Sequence, residues 1–289
     1  MNEVPFYRAW YKVRLGWTWS DKIYTSLQRD PSWPHSDRSL NARNDGHRAS
    51  FTRYLMSELE GEPELQRLSL PNYPPFGKRM LLDNGWFAAL RRDDVDLVGE
   101  GVRSLDAAGI VTESGQHVDV DVVALCTGYA ADEYLKGIEV VGRGGRELHD
   151  LWGSHDARAY LGMTVPGFPN MLILNGPNLN TGAGGSYFFV AECQADYIVD
   201  MVRELWARKA ATFECGESAF ETYNAEVDAA HEHMIWTHPG MTTYYRNTRG
   251  RVVVNMPFRN VEYWRMTRHA DLDEFHTEPR RTDGAAGVH

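Results

Sequence analysis

Val118-Asp-Val-Asp-Val-Val-Ala-Leu-Cys126 begins by alternating apolar and acidic residues, and from Val120 onward it becomes nearly all apolar. Alternation places one face of a strand on a core, whereas loss of alternation is the pattern of a strand covered on both faces, as in a parallel sheet between helical layers. The run stops at Thr127-Gly128-Tyr129, a turn at the carboxyl end of the expected strand, which is where open α/β sheets bind their ligands. Upstream, from Asp94, the pattern predicts strands over Val95–Val98, Val102–Leu105 and Gly109–Thr112, with turns at Gly99–Gly101 and Ser114-Gly115. A hairpin excursion that returns to a buried parallel strand is the layout of the closing part of a dinucleotide-binding domain, so the expected fold class is α/β.

Downstream, Met171–Leu174 reads as a second buried strand running into Asn175-Gly-Pro-Asn178 and the glycine-rich Gly182-Ala-Gly-Gly185. A long helix is predicted from about Ser186, with Ala191, Ala195, Ile198, Val202 and Leu205 on its apolar face. Ser218-Ala-Phe-Glu221 has the form of a capping box and predicts a further helix with Phe220, Tyr223, Val227 and Met234 on one side. Arg251–Pro257 alternates as a strand does, and the charged end after Asp273 reads as frayed. Upstream, the first seventy residues read as helical and loop-rich. Tyr7, Trp10, Tyr11 and Leu15, then Phe51, Tyr54, Leu55 and Leu59, fall at helical spacing, and their aromatics are expected to pack in a core or between domains.

Thirty Lys+Arg against forty Asp+Glu leave the 289 residues with a formal charge of -10, and the basic residues are scattered. Such a surface repels a phosphate backbone, so nucleic acid is not an expected partner. No run approaches the roughly 18 apolar residues of a membrane span, and none is expected. Cys126, Cys193 and Cys215 lie far apart without zinc or redox spacing, which fits free thiols in a reducing compartment and a cytoplasmic location.

Several familiar motifs are absent. No G-x-G-x-x-G occurs, since Gly142-Arg-Gly144 and Gly182-Ala-Gly184 both lack the third glycine. Gly77-Lys78 is not a phosphate-binding P-loop, Gly184-Gly-Ser186 has Phe188 where a nucleophile elbow closes with glycine, and His231-Glu-His233 has Ile235 where a zinc site needs its second histidine. His231 and His233 are expected on a partly solvated helix face. What remains is the pair of strand-to-loop junctions, Thr127-Gly128 and Asn175–Gly185. A glycine-rich turn at a helix N-terminus presents free backbone N–H groups and the positive end of a dipole, which suits a phosphate or an electron-rich ring; it also suits a turn that simply has to form.

Tyr73-Pro-Pro-Phe-Gly-Lys-Arg79, Leu82-Asp-Asn-Gly-Trp-Phe87, Ala124-Leu-Cys-Thr-Gly-Tyr129, Arg158-Ala-Tyr-Leu-Gly162, Pro166-Gly-Phe-Pro-Asn170 and Asn175-Gly-Pro-Asn178, in this order, resemble the Baeyer-Villiger flavoprotein monooxygenases. The group of 4-hydroxyacetophenone monooxygenases also shares Trp236-Thr-His238 and Tyr244-Tyr-Arg-Asn247. The resemblance implies the C-terminal portion of a flavoprotein with two dinucleotide-binding domains. Residues 1–70 would form a helical segment, 71–134 the second half of an NADPH-binding Rossmann-like domain, and 135–289 the last part of the FAD-binding domain with its tail. It implies FAD and NADPH as cofactors, O2 and an aryl ketone as substrates, and an ester as product. By position, Arg79 matches the family's active-site arginine, which holds the anionic peroxyflavin, and Lys78 a lysine on the NADPH phosphate side. Thr127, Gly128 and Tyr129 match the stretch at the cofactor-domain junction, with Cys126 and Tyr129 in place of the common alanine and phenylalanine. Gly176, Pro177, Asn178, Asn180 and Gly185 belong to the loop and helix start beneath the flavin. The family's two G-x-G-x-x-G turns precede the matched region and are not in this sequence. This leaves two expectations open: an oxygenase completed by a further polypeptide, such as a second chain carrying the N-terminal half, or a catalytically incomplete remnant acting as a binding or regulatory partner.

Overall fold

The computed structural model describes residues 5–182 and 184–280. Its helices and strands run in the order α1 (Pro5–Trp19), α2 (Asp21–Tyr24), α3 (Ala42–Glu58), α4 (Pro63–Ser69), α5 (Trp86–Leu90), β1 (Val102–Leu105), β2 (Gly109–Thr112), β3 (His117–Asp119), α6 (Leu148–Trp152), α7 (Tyr187–Ala207), β4 (Ala210–Cys215), α8 (Glu217–His231), α9 (Asn260–Met266) and β5 (Phe275–Pro279). The chain is mixed α/β and divides into two compact units. Among the described residues, one is built from 5–45, 73–79, 131–182 and 184–280, the other from 46–72 and 80–130.

The first unit holds four apolar clusters. Leu27, Leu40, Phe76, Trp236, Tyr245 and Val252–Val254 form one, and Met163, Tyr197, Met201, Phe213, Val227 and Phe275 another. Two smaller groups gather around Leu148, Trp152 and Phe168, and around Leu179, Val190 and Tyr263. α7 starts where the sequence predicts, with Ser186 at its N-cap, but its buried side is Val190, Cys193, Gln194, Tyr197 and Met201. Of the predicted stripe, Ala195 and Val202 face out. The helix is apolar on two sides, so its sequence fits two stripes one residue apart and only tertiary contact chooses between them. α8 begins one residue before the predicted capping box: Gly216 is the N-cap and Ser218 lies inside the helix. Tyr223 and Val227 are buried on its inner face as expected, while Met234 lies beyond the helix end, its N–H bonded to the His231 carbonyl. His231, expected to be half solvated, is buried with its Nε2 at 3.0 Å from the Asn255 carbonyl, while His233 is exposed.

The end that reads as frayed instead forms β5, paired antiparallel with β4 from Ala210↔Pro279 to Cys215↔Phe275. Only Phe275 of β5 is buried, so the strand lacks the apolar alternation that sequence reasoning relies on. The rest of that expectation, at 281–289, and Ala183 of the glycine-rich turn lie outside the described residues. Arg251–Pro257 runs extended without a regular ladder; it bonds Asn178 and Asn180 through the carbonyls of Val253 and Val254 and makes a parallel bridge Asn180↔Asn255. Met171–Leu174 is likewise no strand, its backbone bonding Met163 through the Ile173 N–H. Of the α1 aromatics expected in a core, Tyr7 and Trp10 are exposed, and Tyr7 stacks on Tyr11 with ring centroids 6.3 Å apart.

The second unit contains the antiparallel meander β1-β2-β3, whose first two strands have the predicted limits. Asp106 Oδ1 accepts from the N–H groups of Ala108 and Gly109 and so fixes the β1–β2 turn. Gly109 is needed there, since a Cβ would lie 2.1 Å from the Val118 carbonyl oxygen. Val95–Val98 and Val120–Cys126, both predicted as strands, form no strand among the described residues; the Val120 N–H bonds the Ala108 carbonyl at 3.1 Å, but Val122 and Leu125 are 82% and 76% exposed. The buried parallel strand expected here is replaced by antiparallel pairing that ends at Asp119.

Candidate active site

Within the first unit, Arg79, Ala131, Tyr134, Asn175, Asn180, Tyr187, Tyr244, Tyr245 and Val254 enclose a cavity of about 310 Å³. Arg79 arrives through the Tyr73–Arg79 loop, anchored by the buried Pro74, Pro75 and Phe76. Gly77 packs against Met241, whose Sδ lies 2.1 Å from where a Cβ would be, so a larger residue there would push the Met241 side chain aside. No carboxylate among the described residues lies within ion-pair distance of Arg79, so its charge faces the phenols of the cavity. Burial raises the Tyr187 phenol above its ordinary value, with the Arg79 charge opposing. Tyr245 is pushed up by burial and by the Tyr244 hydroxyl 3.2 Å away, again against Arg79. Tyr134 is raised chiefly by burial. All three stay protonated near neutrality and offer hydroxyl groups, not phenolates.

The Asn175–Asn180 wall of the cavity is held from below by a buried polar cluster. Asn178, in the left-handed region at φ 58°, donates through Nδ2 to the carbonyls of Val252 (2.8 Å) and Asn255 (3.2 Å) and accepts from Arg251 Nη2 (3.2 Å). Arg251 is bound in turn by Asp228 at 2.7 Å and Asp156 at 3.3 Å, and Asp228 also takes Arg158 at 2.9 Å. His231 sits among these groups, and burial lowers its pKa to about 3, so it is neutral and donates from Nε2. Arg251, with its side chain 11% exposed, is the most buried charge of the set, and losing its carboxylates would leave it unpaired.

The structure thus brings Arg79 and Asn180 onto one cavity and buries Gly176, Pro177 and Asn178 just behind it. Gly176 passes so close to the Gly162 carbonyl, 2.3 Å from where a Cβ would be, that only glycine fits. Gly185 lies next to the α7 N-cap at φ 110°, and Lys78 places Nζ 4.6 Å over the Tyr73 ring. Thr127, Gly128 and Tyr129 lie in the second unit and are exposed. Sequence reasoning missed Tyr134, Tyr187 and Tyr245 as cavity residues, and the Arg251–Asp228–Asp156 cluster beneath it. The available signal was weak: a doubled tyrosine and an arginine followed by three valines.

A cation without a carboxylate partner, set among phenols at the junction of a glycine-rich loop and a long helix, is suited to a cofactor and substrate on which negative charge develops. No protein-family model matches the chain. In sequence it is 41% identical, over 96% of its own length and 42% of the relative's, to the uncharacterized monooxygenase y4iD of Sinorhizobium fredii. It is 31% identical, over 78% of its length and 42% of the relative's, to a Baeyer-Villiger monooxygenase of Pseudomonas aeruginosa. In structure it matches an oxidized steroid monooxygenase bound to NADP with a TM-score of 0.72 at 27% identity, over 88% of this chain and 47% of that one. Cyclohexanone monooxygenase from Rhodococcus sp. Phi1 shares the fold at a TM-score of 0.70. In sequence and fold the chain is similar to Baeyer-Villiger and FAD-binding monooxygenases, and it spans somewhat under half the length of the relatives it matches.

Proposed function

We propose that these residues form the substrate-side part of an FAD- and NADPH-dependent Baeyer-Villiger monooxygenase that converts an aryl ketone to an ester. The balance is ketone plus O2, NADPH and a proton giving ester, NADP and water. The observation that carries the reading is Arg79, unpaired and open to the 310 Å³ cavity, in a chain whose relatives are named as monooxygenases. The residues fit the cofactor on that side, since a guanidinium with no carboxylate to neutralise it can serve a developing oxyanion.

Bound FAD supplies electron transfer from NADPH and activation of O2. Arg79 would donate to oxygen at the reacting centre and hold negative charge there, beside phenols that stay neutral. Gly176, Pro177, Asn178, Asn180 and Gly185 would shape the loop and α7 start on the flavin side.

The test supplies acetophenone, NADPH and ¹⁸O-labelled O2 to the protein carrying these residues and loaded with FAD. One labelled oxygen in phenyl acetate supports the reading. NADPH consumption that yields only hydrogen peroxide with every ketone tried contradicts it.

A further inference from the structure

Tyr187 is the first residue of α7, and its hydroxyl donates to Asn180 Oδ1. Asn180 in turn donates from Nδ2 to Asn255 Oδ1. The backbone around this chain of side chains is fixed: Asn180 N–H bonds the Val254 carbonyl at 3.0 Å, and the Met256 N–H bonds the Asn180 carbonyl at 2.9 Å. Asn255 is fully buried, and Gly182 packs against its side chain so closely that a Cβ would lie 2.6 Å away. A bulkier residue 182 would displace Asn255 and with it the whole row. Tyr187 and Asn180 both line the cavity with Arg79.

We propose that Tyr187 is a positioning residue of the cavity, held by the row Tyr187–Asn180–Asn255. Its only proton is committed to Asn180, so toward a ligand the phenol offers its ring face and oxygen lone pairs, whereas Arg79 offers only donors. The two define opposite hydrogen-bonding characters on one wall of a cavity of the size small-molecule sites have. A carbonyl is therefore drawn to Arg79 and turned away from Tyr187, and the aromatic body lies against the phenol ring. This orientation acts through Asn180, because an unheld phenol would rotate and compete for the carbonyl as a donor. The choice of an aryl ketone as ligand rests on the function proposed above.

The experiment titrates the 289-residue chain with acetophenone and reads binding by saturation-transfer NMR. It compares Tyr187→Phe, Asn180→Ala and the double variant, with thermal melting of each recorded alongside. The phenylalanine variant keeps the ring, and Tyr187 is half exposed, so its fold is retained. Expected is a roughly five- to tenfold weaker Kd for each single variant and no further loss in the double variant, as for two groups acting as one unit. Unchanged binding by Tyr187→Phe, additive losses in the double variant, losses that merely follow the melting temperature, or no binding by the wild type would each overturn the proposal. The oxygenase reading fails separately: labelled oxygen absent from product, with the binding pattern intact, rejects that chemistry and leaves Tyr187 in its role.

Discussion

The two units of this chain treat similar apolar sequence in opposite ways. In the first, Val252-Val-Val254 disappears into a cluster with Leu27, Phe76, Trp236 and Tyr245. In the second, Val122-Val-Ala-Leu125 remains open to solvent, and Tyr129 after it is 97% exposed. The valine run at 252–254 receives partners from both ends of the chain, since Leu27 and Trp236 are far from each other in sequence. The run at 120–126 has only the short meander before it, and among the buried apolar residues of that unit the leucines 55, 59 and 90 stand nearly alone. An apolar run thus states that a segment needs cover, but not where the cover comes from.

The largest contrast is expected in thiol reactivity. Cys126 is exposed in the second unit, whereas Cys193 and Cys215 are buried in the first, and burial raises both of their pKa values, that of Cys215 to about 12. A disulfide reagent should label Cys126 at once and the other two only through opening of the fold, a difference of about 10³ or more in rate. Equal labelling of all three would break the comparison.

Core truncation comes next. Leu179 is fully buried and its side chain fills the space over Gly162, so Leu179→Ala should cost about 2–5 kcal/mol in urea unfolding. Leu125→Ser, on the exposed run, should change stability by about 0.5 kcal/mol or less. A larger loss at Leu125 would show that the run is covered in solution.

A smaller effect follows from His231. Its pKa falls from the ordinary range to about 3 on folding, chiefly through burial. Below about pH 6.5 the unfolded chain therefore takes up a proton that the native state refuses. Stability contributed by the neutral imidazole is complete above that range and is lost as pH falls toward 3. Between about pH 7 and pH 4.5 the loss should be about 2–3 kcal/mol. His231→Gln should flatten this part of the stability–pH curve, and an unchanged slope would remove His231 as its source.

How much of this was legible in the sequence depended on the range of the contacts involved. β1 and β2 keep their predicted limits because their turn is local, set by Asp106 and Gly109. α7 starts at its predicted cap, yet its buried stripe is shifted by one position, because Cys193 and Tyr197 meet partners that no local pattern names. β4 and β5 escaped notice since they pair across a long stretch of chain and β5 carries mostly polar side chains. Of the cavity's lining residues, Arg79, Asn175 and Asn180 were singled out through short motifs. The phenol wall and the Arg251–Asp228–Asp156 cluster were not, because each joins segments that only folding brings together.

Arg79 offers the most direct test. In the FAD-loaded protein carrying these residues, stopped-flow absorbance can follow flavin reduction by NADPH while product analysis follows ketone oxygenation. With Arg79→Ala, reduction should persist while oxygenation falls by about 10² or more, the scale of losing one donor to developing oxygen charge. Arg79→Lys should recover little, since a single ammonium lacks the planar two-donor geometry. An Arg79→Ala protein that oxygenates the ketone at the wild-type rate would contradict the role of the unpaired guanidinium and its cavity in the reaction.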